Sequence, residues 1–97
     1  MIDYILLMHD DARAEADDAA WARYFEHLHR SGAFEGGSSI GAGQCFRKDG
    51  EPGQASGHLS GFIRVKAADL DAAKAFLVGN PVYEQGGTVE IRELPHD

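Results

Sequence analysis

Two histidines and a tyrosine are the side chains best suited to move a proton near neutral pH. His9, His58 and Tyr83 lie far apart in the sequence, yet each stands at a junction between predicted elements. His9 closes the first predicted strand, His58 opens the third, and Tyr83 follows the second predicted helix. Imidazole exchanges a proton at physiological pH, and a phenol can donate a hydrogen bond to developing negative charge. We therefore take these three residues as candidate catalytic groups.

The topology of an antiparallel sheet is expected to gather these residues at one edge. The first strand ends where the third begins, and the second helix returns the chain to that edge. His9 and His58 should then lie within about 10 Å of each other, the width of a small ligand. Asp10 lies beside them and is a candidate ligand-binding residue. In the alternative interpretation His58 is solvated and His9 only forms local hydrogen bonds at the strand end.

Arg64 and Arg92 form a second set of candidate ligand-binding residues. Both fall in the middle of predicted strands, on the face turned away from the helices. A guanidinium there can bind a substrate carboxylate through two parallel hydrogen bonds. It can also pair with Glu90 or Asp3 across the sheet, and we favour this structural pairing.

The sequence gives no pattern typical of a metal or cofactor site. Five acidic residues near the first helix favour a solvated loop and a negatively charged first turn, which suits the helix dipole. They are Asp10, Asp11, Glu15, Asp17 and Asp18. The single cysteine, Cys45, excludes an internal disulfide and a multi-cysteine zinc site. We expect no metal and no cofactor, and we expect any site to lie away from Cys45 and from the solvated His27.

The pattern of apolar residues predicts the element order β-α-β-β-α-β. Strands are predicted over residues 2–9, 39–47, 58–66 and 87–94, and helices over 17–31 and 69–79. The first helix shows one apolar stripe, formed by Trp21, Tyr24, Phe25 and Leu28. Two right-handed crossovers give an α+β, ferredoxin-like fold, in which a four-stranded antiparallel sheet carries both helices on one face.

The first strand is apolar on both faces, which is typical of a central strand that is covered on both sides. The two helices can cover only one face of the sheet. The other face would leave Phe62, part of the first strand and Leu94 in water, which is unusual for a monomer. The sequence therefore predicts a homodimer through the helix-free sheet face, closed into a dimeric α/β barrel.

Length and charge limit the classes of partner. The 97 residues predict a single domain over 1–97, and the net charge of −7 without a basic cluster disfavours nucleic-acid binding. The longest apolar run, residues 4–8, is too short to span a bilayer, so no membrane partner is expected. The first residues lack the pattern of a signal peptide, and the expected location is the cytoplasm.

Several segments resemble the YCII-related family. Residues 61–65 read Gly-Phe-Ile-Arg-Val, an acidic helix opens at residues 69–73, and Asn80-Pro81 precedes Gly-Gly-Thr-Val-Glu-Ile-Arg at residues 86–92. The opening strand and acidic turn at residues 4–11 and the helix end at residues 28–32 are also similar to the family. The resemblance implies a dimeric α/β barrel, in agreement with the independent argument from the apolar pattern.

The same resemblance leaves two functions open. The resemblance implies, for some members, cofactor-free proton transfer on lactones, phenols or chlorinated aromatics. One expectation is therefore that the chain binds or transforms a small acidic or phenolic molecule. The alternative is a non-catalytic accessory or regulatory binding module. Members with a proposed His/Asp pair carry Asp before the proline where this chain has Asn80, and the Asp-Gly-Pro-Phe motif common in the family is absent. An amide cannot act as a carboxylate base, which favours the module, whereas the His9, His58 and Tyr83 set favours the enzyme.

Overall fold

Four antiparallel strands form one sheet in the computed structural model, which describes residues 1–96. They are β1 (Ile2–His9), β2 (Phe34–Ser39), β3 (Leu59–Ala67) and β4 (Val89–Leu94), and their order across the sheet is β2-β3-β1-β4. The first and third strands occupy the middle, because both carry buried apolar residues along their length. The predicted α+β, ferredoxin-like architecture is confirmed.

The helices lie on one face of the sheet and are set by local signals. Helix α1 spans Asp18–Ser31; the Asp17 side chain accepts a hydrogen bond from the Ala20 N–H at its start, and Gly32 ends it in the left-handed conformation. Helix α2 spans Leu70–Lys74 and continues as a 3-10 turn at Ala75–Leu77. A further short helix, α3 (Pro81–Glu84), lies where the sequence predicted only a loop.

The core lies between the sheet and the two longer helices. Tyr4, Leu6, Met8, Ile63, Val65 and Ala67 supply it from the central strands, and Tyr24, Leu28 and Ala73 supply it from the helices. The Tyr24 hydroxyl donates a 2.6 Å hydrogen bond to the Phe76 carbonyl, which ties α1 to the 3-10 turn. Burial raises the pKa of this phenol, against a lowering contribution from Asn80, so the hydroxyl remains a donor.

The second strand differs from the prediction over residues 39–47, which was wrong. The pairing partner of β3 is Phe34–Ser39, and residues 40–58 form an exposed connection. Gly36 and Gly37 belong to this strand and pair with Arg64 and Ile63. A Cβ on Gly37 would lie 2.5 Å from the Phe62 carbonyl oxygen, so the two backbones approach closely there. The β2–β3 register shifts between Phe34 and Gly36, which marks a bulge.

The helix-free face of the sheet is formed by residues that alternate with the core. Strand register puts Arg64 and Arg92 on either side of Ile5, and Phe62 and Glu90 on either side of Leu7. Ile5, Leu7 and Phe62 are half-buried, whereas both arginines are exposed. Among residues 1–96, no helix is long and apolar enough to cross a membrane.

Candidate functional site

Glu90, His9 and His58 form a short series of contacts at one edge of the sheet. The Nε2 atom of His9 lies 2.9 Å from a carboxylate oxygen of Glu90. The rings of His9 and His58 meet edge to face, with their centroids 4.9 Å apart. The predicted approach of the two histidines is confirmed, and the structure adds a carboxylate to them.

Backbone pairing at the strand ends fixes this arrangement. The His9 N–H donates to the Thr88 carbonyl at 2.9 Å, and the Asp10 N–H donates to the His58 carbonyl at 2.6 Å. The β1–β3 register is irregular between Met8 and His9, and such irregularities redirect a side chain at a sheet edge. The end of β1 is thus held by both of its neighbours, with His9 at the edge.

The Glu90 carboxyl has a pKa that is lowered by its two hydrogen-bond donors. Hydrogen bonds from His9 and then from Arg92 hold the pKa of the Glu90 carboxyl below its usual range. The Arg92 bond joins Nη1 to the second carboxylate oxygen of Glu90 at 3.0 Å. Each donor stabilises the ionised form, so a carboxylate faces His9 at neutral pH.

A cavity of about 460 Å³ opens beside His9, within the size range of small-ligand sites. The loop between β1 and α1 supplies Asp10 and Arg13, α1 supplies Trp21, and α3 supplies Pro81 and Val82. The cavity therefore combines an imidazole, the carboxylates of Asp10 and Glu15, and a guanidinium with apolar walls.

One carboxylate fixes the cavity loop to Thr88, the residue directly before β4. Asp11 accepts hydrogen bonds from the Thr88 N–H at 2.7 Å and from the Thr88 hydroxyl at 2.6 Å. These two bonds, the hydroxyl first, lower the pKa of Asp11. The acidic loop is thus more than a solvated segment, because one of its members fixes the cavity wall.

Arg13 is the cation of this cavity, and its position depends on Gly86. The Arg13 N–H donates to the Gln85 carbonyl at 3.0 Å. Its guanidinium lies against Gly86, where an added Cβ would be 2.5 Å from Nε. Within residues 1–96 Arg13 forms no ion pair, so its charge is available to an anionic ligand.

Tyr83 lies in α3 and Asn80 caps that helix, but neither shares the contacts of the histidines. Tyr83 is 47% exposed and does not line the cavity, so the structure does not bring it to His9 or His58. Asn80 is fully buried, and its side-chain oxygen accepts hydrogen bonds from the Val82 and Tyr83 N–H groups. Its amide caps α3 and orients the cavity wall.

The two strand arginines lie outside the cavity, on the helix-free face. Arg92 pairs with Glu90, as the favoured structural interpretation predicted. Arg64 is exposed and forms no ion pair within residues 1–96. In the same part of the chain no three His, Cys, Asp or Glu side chains are grouped to hold a metal ion, and Cys45 is exposed.

Sequence reasoning missed two members of the site, Glu90 and Arg13. Glu90 could have been found from alternation, because it lies between the apolar Val89 and Ile91, which suit the core face, and the residue between them must face the other way. Arg13 lies in a loop without periodicity, where no comparable signal exists.

The fold and the site together define a ferredoxin-like α+β domain with an ionisable cavity at the sheet edge. The model of the YCII-related domain family matches residues 2–95, and the chain belongs to this family. None of the curated proteins matches it significantly. A similar solved structure is 5-chloro-2-hydroxyhydroquinone dehydrochlorinase from Burkholderia phenoliruptrix AC1100, in complex with 2,5-dihydroxybenzoquinone. The TM-score is 0.55 at 16% identity, over 99% of this chain and 96% of that one, which establishes a shared fold.

Proposed function

We propose that this protein binds a small acidic or phenolic molecule in the cavity beside His9 and transfers a proton from it without a cofactor. The observation that carries the proposal is the His9–Glu90 contact of 2.9 Å at the wall of that cavity. A carboxylate that orients an imidazole is a common arrangement for general-base catalysis.

The proton acceptor is the ring nitrogen of His9 that does not face Glu90. Donation from Nε2 to the carboxylate leaves Nδ1 as the acceptor of the neutral ring. When Nδ1 takes a proton, the nearby Glu90 anion stabilises the resulting imidazolium. The exposed His58 ring, in contact with His9, offers a route for that proton to solvent.

The charged groups that line the cavity are Asp10, Glu15 and Arg13, so an anionic group of a ligand would bind at Arg13. Arg13 supports the phenolate or carboxylate that remains after proton transfer. The similar dehydrochlorinase was solved with a hydroxyquinone, whose ionisable hydroxyl groups have the chemistry that this cavity suits. That compound is therefore a reasonable first probe.

Pairing of two copies through the helix-free face belongs to the same proposal. Glu90 and Arg92 lie on that face, so a second copy would shield the His9–Glu90 contact from bulk water. Exclusion of water strengthens the electrostatic interaction on which the base depends.

The alternative function is a non-catalytic accessory or regulatory module, and Asn80 is the observation that favours it. The position at which some relatives carry Asp here holds a buried amide that caps α3. A module would use the same cavity to bind a ligand without chemical turnover.

A binding titration with 2,5-dihydroxybenzoquinone, followed by a turnover assay, tests the proposal. We expect saturable binding that falls at least about tenfold, or 1.4 kcal/mol, in His9→Ala, and no change in His27→Ala, which alters an exposed histidine outside this cavity. Chloride release from 5-chloro-2-hydroxyhydroquinone then separates the two functions: release that requires His9 indicates the enzyme, and binding without release indicates the module. Equal binding by wild type and His9→Ala contradicts the site.

A further inference from the structure

A second, mostly apolar cavity adjoins the one beside His9. Its volume is about 330 Å³, and the apolar side chains that wall it are Met8, Trp21, Phe25 and Ile63; Phe62, whose side chain lies on the helix-free face, also borders it. The polar groups that line it are serines and the backbone of β2 and β3, and it contains no charged side chain. Such a chamber suits a hydrocarbon or aromatic group and offers no partner for a charge.

The chamber follows from small residues on the core side of β2 and β3. Strand register pairs Gly37 with Ile63 and Ser39 with Gly61, so glycines and a serine stand where other core positions carry large side chains. Met8 lies over Gly61, with its Cε 3.2 Å from where a Cβ would be. The sheet therefore leaves a hollow beneath Trp21 and Phe25 of α1.

The two cavities share walls. Trp21 and Ser60 line both of them, and Met8 of the apolar chamber directly precedes His9 of the ionisable cavity. A ligand whose hydroxyl lies near His9 can thus extend past Trp21 without leaving the protein surface.

We propose that the apolar chamber is the second half of the ligand site, and that the natural ligand carries an alkyl or aryl substituent on its ionisable ring. This inference rests on the proposed function and adds the class of substituent to it. A bare hydroxylated ring fills only the cavity at His9, whereas a substituted one also contacts the chamber walls.

A series of 4-alkylphenols, from phenol to 4-butylphenol, tests the inference. Binding can be followed by the fluorescence of Trp21, the only tryptophan of the chain, which lies in both walls. We expect affinity to rise by about fourfold for each methylene that enters the chamber. In Ser39→Leu the rise should flatten, because Ser39 lines only the chamber and its side chain is exposed enough to accept leucine without core rearrangement.

Ser56→Leu is the matched control, since Ser56 is exposed and lines neither cavity. Equal affinity for phenol and 4-butylphenol in wild type overturns the chamber but leaves the His9 site in place. If affinity rises with chain length but each compound binds wild type and His9→Ala equally well, the chamber is supported and the proposed proton transfer at His9 is overturned. Absence of binding across the whole series at saturating concentration overturns both.

Discussion

The position of Arg13, the cation of the candidate site, depends on the absence of a side chain at Gly86. A Cβ at residue 86 would lie 2.5 Å from Nε of Arg13, so the guanidinium would have to shift from its present position. The role of Gly86 is therefore visible only in the folded chain, where the β1–α1 loop meets the turn before β4. This contact makes an arginine in an irregular loop a defined part of the cavity wall.

Gly86→Ala should weaken anion binding through Arg13. The new methyl group displaces the guanidinium, so we expect affinity for 2,5-dihydroxybenzoquinone to fall about as far as in Arg13→Gln. The φ angle of Gly86 is 82°, so alanine there also strains the backbone by about 1–2 kcal/mol. Gly32→Ala is the control, since Gly32 has a φ of 74° and open space around it. If Gly86→Ala and Gly32→Ala both lost binding, the cause would be reduced stability of the fold and not displacement of Arg13.

Only part of the site could be deduced from the sequence. The approach of His9 and His58 follows from strand ends in an antiparallel sheet and needs no side-chain detail. The prediction that Tyr83 joins them rests on the return of the second helix to that edge, but the Asn80 cap begins a short helix there that leaves Tyr83 exposed. The Arg13–Gly86 contact depends on the packing of two irregular segments, and such segments have no periodic pattern of apolar residues from which their packing could be predicted.

The elements are predictable where their signals are local and strong. The Asp17 and Gly32 caps and a single apolar stripe define α1, and its bounds agree with the prediction within a residue. Strand β2 was misplaced because its core-side pattern is interrupted by glycines, whose function is close backbone approach. The misplacement matters for function, since these glycines create the apolar chamber.

The loop between β1 and α1 should detach from β4 in acid. The pKa of Asp11 is lowered in the folded protein, so its clamp on Thr88 is fully present above the ordinary Asp range of about 3.9 and is lost as pH falls through the lowered value. The amide resonance of Thr88 should report a midpoint below that range in an NMR titration. Thr88→Val removes the hydroxyl bond and should raise the midpoint; an unchanged midpoint would contradict the clamp.

The whole molecule presents one uncovered sheet face, which is the proposed dimer contact. Ile5, Leu7 and Phe62 form its apolar centre, and the exposed Arg64 and Arg92 flank it. A second copy would complete the barrel expected for a chain of this family. It would also place the charged residues of the two sheets inside a shared interior.

Phe62→Asp should shift the protein toward the monomer. The substitution removes about 1–3 kcal/mol of apolar burial per chain and adds a charge that is costly to bury. Phe46→Asp is a matched control, because Phe46 is 84% exposed in the segment 40–58 and lies outside the sheet. Light scattering at micromolar concentration measures the mass of each. A monomeric wild type, or equal dissociation of both variants, would refute the interface.

The bulge in β2 has a consequence for how copies of this chain can meet. An outer strand offers a row of unpaired amides and carbonyls to which the strand of another molecule can add, the first step toward fibrous aggregation. In β2 the register shift between Phe34 and Gly36 interrupts that row, and Glu35 carries a charge beside it that pairs with Lys66 at 3.2 Å. Growth by strand addition is thereby opposed at this edge, so a pair formed through the proposed sheet-face contact would not extend along β2.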